Sequence, residues 1–308
     1  MTLTFAYMLF LAFSIGLATA AQSPTNGSLG SIVGPIQASL VSCLGALAIL
    51  IVICAFTGTG NILNMLNVPV WMWTGGLFSA FVVCSLSACT QTLGVALSMT
   101  VIMLGQLLGG MLVDTFGLFA SPILEVSPLR GIGCVVILAG IALVYKDRLN
   151  DQEPSENQTP ARGLLSRAAL VFCAGLASAF QAPINTGLGA ATGTIEACVI
   201  SFASGCIALL VAVLVMGKGH FQSFKGVRLW QLTGGIYGAF GVPALITVTP
   251  ILGVSLAMGG SMAGQIIGGM IVDALGAFQT KKRRMNPLRI AGAIVLLAGV
   301  LIVSAGTN

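Results

Sequence analysis

The sequence predicts an all-α membrane protein whose ten transmembrane helices form two inverted five-helix repeats. Two observations predict this fold class: long apolar blocks with very few charges, and polar motifs that recur at a constant spacing. Hydrophobic residues make up 56% of the 308 residues and charged residues 7%, whereas about a quarter of a soluble domain is charged. So few charges could not cover a soluble surface of this size.

The apolar blocks have membrane-spanning length, and they define the predicted helices. A membrane helix needs roughly 20 mainly apolar residues, and only helices or closed barrels satisfy their backbone hydrogen bonds in lipid. Barrel strands would alternate polar and apolar side chains, and these blocks do not. In the first half the predicted spans cover residues 4–29, 36–57, 70–89, 93–113 and 129–145, the third and fourth being nearly contiguous.

Polar motifs recur in the second half of the chain without a gap. The pattern QxPxNxxLG begins at Gln22 and again at Gln181, and GQxxGGMxVDxxGxF begins at Gly105 and again at Gly264. Both pairs are 159 positions apart, since 181 − 22 and 264 − 105 give the same number. Hydrophobic composition alone cannot hold such residues in register, so we infer that the chain is a duplication.

The duplication divides the chain into two domains. The first repeat covers residues 1–149 and the second covers residues 163–308. Between them, residues 150–162 form a polar, proline-bearing stretch that is typical of a solvated linker. Because each repeat has an odd number of spans, the second must enter the membrane in the opposite sense to the first.

Positive charges indicate the orientation of the chain. With ten spans, every lysine and arginine except Arg130 falls on the side of the inter-repeat linker. Positive residues mark the cytoplasmic side, so we expect a cytoplasmic linker and two non-cytoplasmic termini. The net charge of +5 therefore reflects topology. No basic patch with interleaved aromatic residues occurs, and we expect no nucleic-acid partner.

This architecture favours a secondary transporter, because inverted repeats recur in that class with the substrate site at the bilayer midplane. Three other classes remain as alternatives: an intramembrane enzyme, a small-ion channel and a membrane scaffold that does not transport. An enzyme would need a nucleophile with a base, a metal cluster or paired carboxylates, and the spans hold none. We therefore expect no enzymatic activity, no metal and no cofactor, and the sequence leaves the oligomeric state open.

The duplicated motifs, together with a PLR-containing helix start at Pro128 and Pro287, resemble the YdcZ-like inner-membrane proteins of the drug/metabolite transporter superfamily. The resemblance covers both halves and implies a fused, two-domain form. It further implies a bacterial inner membrane and the export or exchange of a small metabolite or drug. The expected partners are the lipid bilayer, a small-molecule substrate and a proton or sodium ion for coupling.

Polar side chains within the spans are candidates for substrate binding, because they are costly in lipid. Gln22 and Asn26 are four residues apart and share a helix face, as do Gln181 and Asn185. Gln106 and Gln265 complete the set at the middle of the fourth and ninth predicted spans. For each of the six, a hydrogen bond that clamps two helices is the alternative to substrate contact.

Five ionisable residues are candidates for coupling or gating. Asp114 and Arg130 flank one predicted loop, and Asp273 and Arg289 flank the equivalent loop of the second repeat. An ion pair that braces each loop is one interpretation, and an ion gate at each membrane face is the other. Glu196, the only glutamate in a predicted span, is a candidate for proton coupling, with a hydrated interfacial carboxylate as the alternative.

Overall fold

The protein, in a computed structural model, is described for residues 3–123, 127–150, 161–215, 224–279 and 287–306. These ranges are helical apart from short connections and contain no strand, which confirms the all-α prediction. The helices that occupy them are α1 (Leu3–Val33), α2 (Pro35–Thr57), α3 (Gly75–Phe116), α4 (Pro128–Asn150), α5 (Ala161–Thr192), α6 (Thr194–Val215), α7 (Gly234–Leu275) and α8 (Pro287–Ala305). Most of the predicted linker, residues 151–160, lies outside the described residues.

Single glycines separate the first two helices of each repeat. Gly34 has a φ of 93° and joins α1 to α2, and Gly193 has a φ of 108° and joins α5 to α6. A positive φ suits glycine, which has no Cβ, and it interrupts the helix at that residue. In the first repeat Pro35 follows as the first helical residue, where its missing N–H costs nothing.

The two longest helices, α3 and α7, each double back on themselves. Each has 42 residues, so a straight helix would be about 63 Å long, twice the hydrocarbon core of a bilayer. Yet the ring centroids of Trp230 and Phe278, which flank α7 on either side, lie 5.8 Å apart. Those of Trp71 and Phe119, which flank α3, lie 6.0 Å apart. In α7 the break is at Gly253, whose φ of 73° and ψ of 167° are not helical.

Helix α1 shows the direction of both segments of α7. The segment before Gly253 runs antiparallel to α1, as three pairs of neighbours show: Ser28 with Gln231, Gln22 with Gly234, and Ile15 with Gly241. The segment after it runs parallel to α1, as three further pairs show: Ala12 with Gly260, Gly16 with Gly264, and Ala20 with Gly268. The single helical element therefore contains two antiparallel segments, where the sequence predicts two separate spans.

Helices α3 and α5 repeat this arrangement in the first half of the chain. Asn185 packs on Gly75, the first residue of α3, and Asn64, in the connection between α2 and α3, donates to the Ala191 carbonyl oxygen at 3.0 Å. Further along α3, Gly105 lies against Phe172 and Gly109 against Ala179. The contacts of α3 along α5 therefore reverse direction, as those of α7 along α1 do.

Helices α4 and α8 occupy equivalent positions in the two repeats and pack against each other in opposite directions. Gly133 lies against Gly299, and Gly140 lies against Gly292. The lack of side chains lets the two backbones approach closely, as small residues do between membrane helices. The chain direction of α8 is therefore opposite to that of α4.

The exterior of the described chain is apolar. Large hydrophobic side chains such as Phe56, Leu214 and Leu229 are exposed, Phe56 by 85%. Within the part of the chain that the structure describes, six helical stretches are long and apolar enough to cross a membrane, and the last of them, Leu229–Val272, contains both segments of α7. Three further helical stretches are apolar but shorter: Val101–Phe116, Gly131–Leu143 and Ile290–Val303. An apolar surface of this extent suits lipid rather than water.

Candidate functional site

A cavity of about 170 Å³ lies between the two repeats and is lined by helices from both. Four predicted glutamines share its wall: Gln22 on α1, Gln106 on α3, Gln181 on α5 and Gln265 on α7. They form two pairs related by the repeat. Other wall residues are related in the same way, such as Met99 and Met258. The cavity therefore lies where equivalent surfaces of the two repeats face each other.

Helix α1 positions Gln22 by a contact with the first segment of α7. Its Nε2 donates to the carbonyl oxygen of Gly234 at 3.1 Å, which orients the amide beside the cavity. Pro24 lies two residues further on, inside α1, and Pro183 lies in the equivalent place inside α5. Gln181 is 6% exposed and lines the cavity from α5.

Gln106 and Gln265 come from the second segments of α3 and α7. Gln106 Nε2 donates to Ser178 Oγ at 3.2 Å, and Gln265 Nε2 donates to Ser261 Oγ at 3.3 Å. The Oε1 atom of Gln106 is buried and has no hydrogen-bond partner among the described residues. Gly264, adjacent to Gln265, lets α1 approach, because a methyl group there would overlap the carbonyl oxygen of Phe13.

The structure places the two predicted asparagines outside the cavity wall. Asn26 is 5% exposed and Asn185 is fully buried. Asn26 packs on Gly234 and Asn185 packs on Gly75, where a side chain on either glycine would overlap the asparagine oxygen. Both asparagines therefore pack at helix contacts. Asn26 Oδ1 and both polar side-chain atoms of Asn185 have no hydrogen-bond partner among the described residues, so the structure shows no hydrogen-bonded clamp through them.

Asp114 connects α3 to the break in α7. It is 2% exposed, and its two carboxylate oxygens accept the backbone N–H groups of Val254 and Ser255, both at 2.8 Å. These N–H groups follow Gly253 and begin a helical segment, where they lack intrahelical acceptors and favour a negative charge. The sequence analysis did not anticipate this contact. The side chains of Asp273, Arg130 and Arg289 lie outside the described residues.

Glu196 lies in the first turn of α6 and away from the cavity wall. It is 4% exposed, and its Oε1 accepts the backbone N–H of Gly60 at 2.8 Å. The carboxylate also lies close to Gly193. Glu196 therefore joins the start of α6 to the loop after α2, near the ends of those helices.

Several hydroxyl side chains of the cavity wall were missed by the sequence analysis. They include Thr19, Ser178, Ser261, Ser42 and Tyr237. Helical spacing could have found three of them, because Thr19 and Ser178 precede a predicted glutamine by three residues and Ser261 precedes one by four. Among the described residues no group of His, Cys, Asp and Glu could hold a metal ion, and the eight cysteines are free thiols.

Comparisons with known proteins agree with the duplicated membrane fold. The family model described as "Putative inner membrane exporter, YdcZ" matches twice, at residues 7–143 and 167–302. A solved structure described only as "Crystal structure of protein" has a TM-score of 0.70 and 15% identity, covering 100% of this chain and 98% of the other. That likeness shows a shared fold. No curated protein matches the chain by sequence. Because the family model accounts for both repeats, the chain belongs to the DMT_YdcZ family of membrane transporters.

Proposed function

We propose that the protein is a secondary transporter that exports or exchanges a small organic metabolite or drug by alternating access. The observation that carries this proposal is the cavity between the repeats, with equivalent glutamines from both repeats on its wall. In transporters with inverted repeats the substrate site lies between the repeats near the bilayer midplane. The four glutamines are then substrate contacts, whereas Asn26 and Asn185 pack at helix contacts outside the cavity wall.

The proposal includes ten spans and an inverted second repeat. If each segment of α3 and α7 crosses the membrane once, the eight helices give ten crossings. The antiparallel contact of α4 with α8 supports opposite orientations of the repeats, because these helices are equivalent in sequence. The distribution of lysine and arginine supports a cytoplasmic linker and two termini outside the cytoplasm.

Alternating access requires contacts that can open at each face of the membrane. In the proposed topology Asp114 and Glu196 both lie near the outer ends of their helices. Asp114 accepts two backbone N–H groups of α7 there, and Glu196 accepts one from the loop after α2. We assign them to gating or coupling at the outer face, with Asp273 as the inner equivalent of Asp114. Arg130 and Arg289 begin the neighbouring helices and are assigned to the same two gates.

Transport by purified protein in proteoliposomes tests this function. The measurement is uptake and counterflow of a metabolite library, with Gln22→Ala and Gln181→Ala beside the parent. Each variant should reduce flux of a transported solute about fivefold, because an amide contact contributes roughly 1 kcal/mol. Gly27→Ala is the matched control, since this α1 residue has open space around it. Full activity in both glutamine variants would remove the cavity as the substrate site.

A further inference from the structure

Charge is missing from the wall of the cavity. Among the described residues that line it, none is Asp, Glu, Lys, Arg or His. Two buried carboxylates on helices that line the cavity, Asp114 on α3 and Glu196 on α6, are engaged elsewhere. Asp114 accepts from Val254 and Ser255, and Glu196 accepts from Gly60. Moving an ion from water into such a site costs several kcal/mol without an opposite charge to offset it.

Hydrogen-bonding capacity, in contrast, is concentrated there. An amide offers two donors and an acceptor, and the contacts of Gln22, Gln106 and Gln265 described above each use one N–H group. The amides are thereby held in place while their oxygens and second N–H groups remain for a ligand. The buried, unpartnered Oε1 of Gln106 is an acceptor that a ligand O–H or N–H would satisfy.

Apart from the glutamines and the hydroxyl side chains, the wall is mainly apolar, and its apolar residues set the size of the ligand. Val83 and Val242, and Leu86 and Leu245, contribute equivalent apolar surfaces from the two repeats. The volume of about 170 Å³ is close to that of a protein cavity of about 150 Å³ that accepts benzene. The cavity therefore matches one compact ring with polar groups on its rim.

We infer that this cavity binds an uncharged organic solute of single-ring size, with hydrogen-bond donors and acceptors on its rim, in preference to cations and anions. The inference rests on the proposed transport function and specifies its substrate class. Four amides bind such a rim through hydrogen bonds and without a charged group, and the paired valines and leucines cover the ring faces. Because the solute is uncharged, its own movement transfers no charge across the membrane.

The first experiment compares three charge classes on the purified protein. The probes are single-ring solutes grouped as uncharged, cationic and anionic, with benzamide, benzamidinium and benzoate as a trio of nearly equal size. Binding is measured as a rise in Tm, because a ligand of the native state stabilises it, and flux is measured in proteoliposomes. We expect the stabilising and transported solutes to be uncharged.

The outcomes separate this inference from the proposed function. A cation or anion that is transported best, and loses transport in Gln22→Ala, would leave the transporter in place and overturn the charge class. If no solute of any class moves or binds, the proposed function itself fails, and the substrate class with it.

The second experiment places a carboxylate in the cavity. Gln265→Glu keeps the shape of the side chain, and Gln106→Glu does the same in the first repeat. Each should weaken binding of the transported uncharged solute about tenfold above the pKa of the new carboxyl group and increase stabilisation by benzamidinium. Gln37→Glu is the control, because this residue lies outside the wall and the second repeat carries Glu196 at that position. Equal behaviour of all three variants would overturn the inference.

Discussion

At the scale of single residues, the longer and the shorter amide side chains on one helix face lie in two different environments. Gln22 and Asn26 share a face of α1 and both contact Gly234. The glutamine amide extends to the cavity, whereas the shorter asparagine stays in the helix contact and is 5% exposed. The same division separates Gln181 from Asn185 on α5. Glycine on the partner helix makes the room that each of these contacts requires.

Gly264 and Gly105 make two such contacts and lead to a prediction about stability. A methyl group on Gly264 would overlap the carbonyl oxygen of Phe13, and one on Gly105 would overlap that of Phe172. Gly264→Ala and Gly105→Ala should each lower the free energy of unfolding by about 1–3 kcal/mol, because the backbones must separate. Thermal unfolding in detergent measures the effect.

Gly131→Ala is the matched control for that prediction. It lies in α4 with nothing within 4 Å of an added methyl group. Alanine favours a helix interior over glycine by about 1 kcal/mol, so this variant should be neutral or slightly more stable than the parent. Equal losses in all three variants would show that backbone approach at Gly105 and Gly264 is not the cause.

At the scale of elements, the helical hairpin of α7 depends on its break at Gly253. The N–H groups of Val254 and Ser255 begin the second segment and receive the Asp114 carboxylate. A carboxylate at a helix N-terminus satisfies free donors and interacts favourably with the helix dipole. Asp114 therefore links α3 to the point at which α7 reverses direction.

Replacement of Asp114 should make local opening of the backbone at the break in α7 more frequent. Asp114→Ala leaves two buried N–H groups without their acceptor, and we expect a loss of about 2–4 kcal/mol in the free energy of unfolding. Asp114→Asn keeps one acceptor oxygen and should lose less. Hydrogen–deuterium exchange of peptides that span residues 250–258 measures the local effect. Glu196→Gln is the control, and unchanged exchange in Asp114→Ala would contradict the assignment.

At the scale of the whole molecule, α2 of the first repeat meets α6 of the second at equivalent positions. Cys43 Sγ lies 3.1 Å from Cys206 Sγ and 3.4 Å from the carbonyl oxygen of Phe202, the residue 159 positions further along the chain. A contact between a residue and its own equivalent is expected where a pseudo-two-fold axis passes, so the proposed inverted repeat implies an axis close to Cys43. The repeats therefore meet face to face at this point.

This contact predicts a cross-link between the repeats. Oxidation with copper phenanthroline in air should join Cys43 to Cys206, because their thiols are in contact. With a protease site placed in the linker, the two halves should remain joined on a non-reducing gel after cleavage. Cys43→Ser should abolish the cross-link and Cys198→Ser should retain it. Separation of the oxidised halves would contradict the arrangement of α2 and α6.

Topology gives a further prediction for the whole molecule. A reporter fused after Asn308 should be active outside the cytoplasm, and cysteines placed in residues 151–160 and 281–284 should be labelled from the cytoplasmic side. The physical reason is the cost of moving lysine and arginine across the membrane. Labelling of these two segments from opposite sides would contradict ten spans and the inverted repeat.

Much of the architecture could be predicted from the sequence, because duplication keeps polar residues in register and lipid requires helices of a certain length. The sequence predicts two separate spans in the region of each of α3 and α7, whereas the structure has one helical element that reverses direction. Hydropathy reports the length of an apolar block and not the backbone conformation at a break such as Gly253. The contact of Asp114 with α7 joins residues 140 positions apart. A local sequence pattern cannot relate residues so far apart, so only the folded structure could reveal this contact.

The glycine contact of α4 with α8 has a consequence for a chain that contains only one repeat. One surface meets its own copy there, with Gly133 on Gly299 and Gly140 on Gly292. Such an interface is isologous and self-complementary, as in a two-fold homodimer. A polypeptide that contained a single half could therefore bury the same glycine ridge against a second copy of itself, provided that the two copies were inserted in opposite orientations.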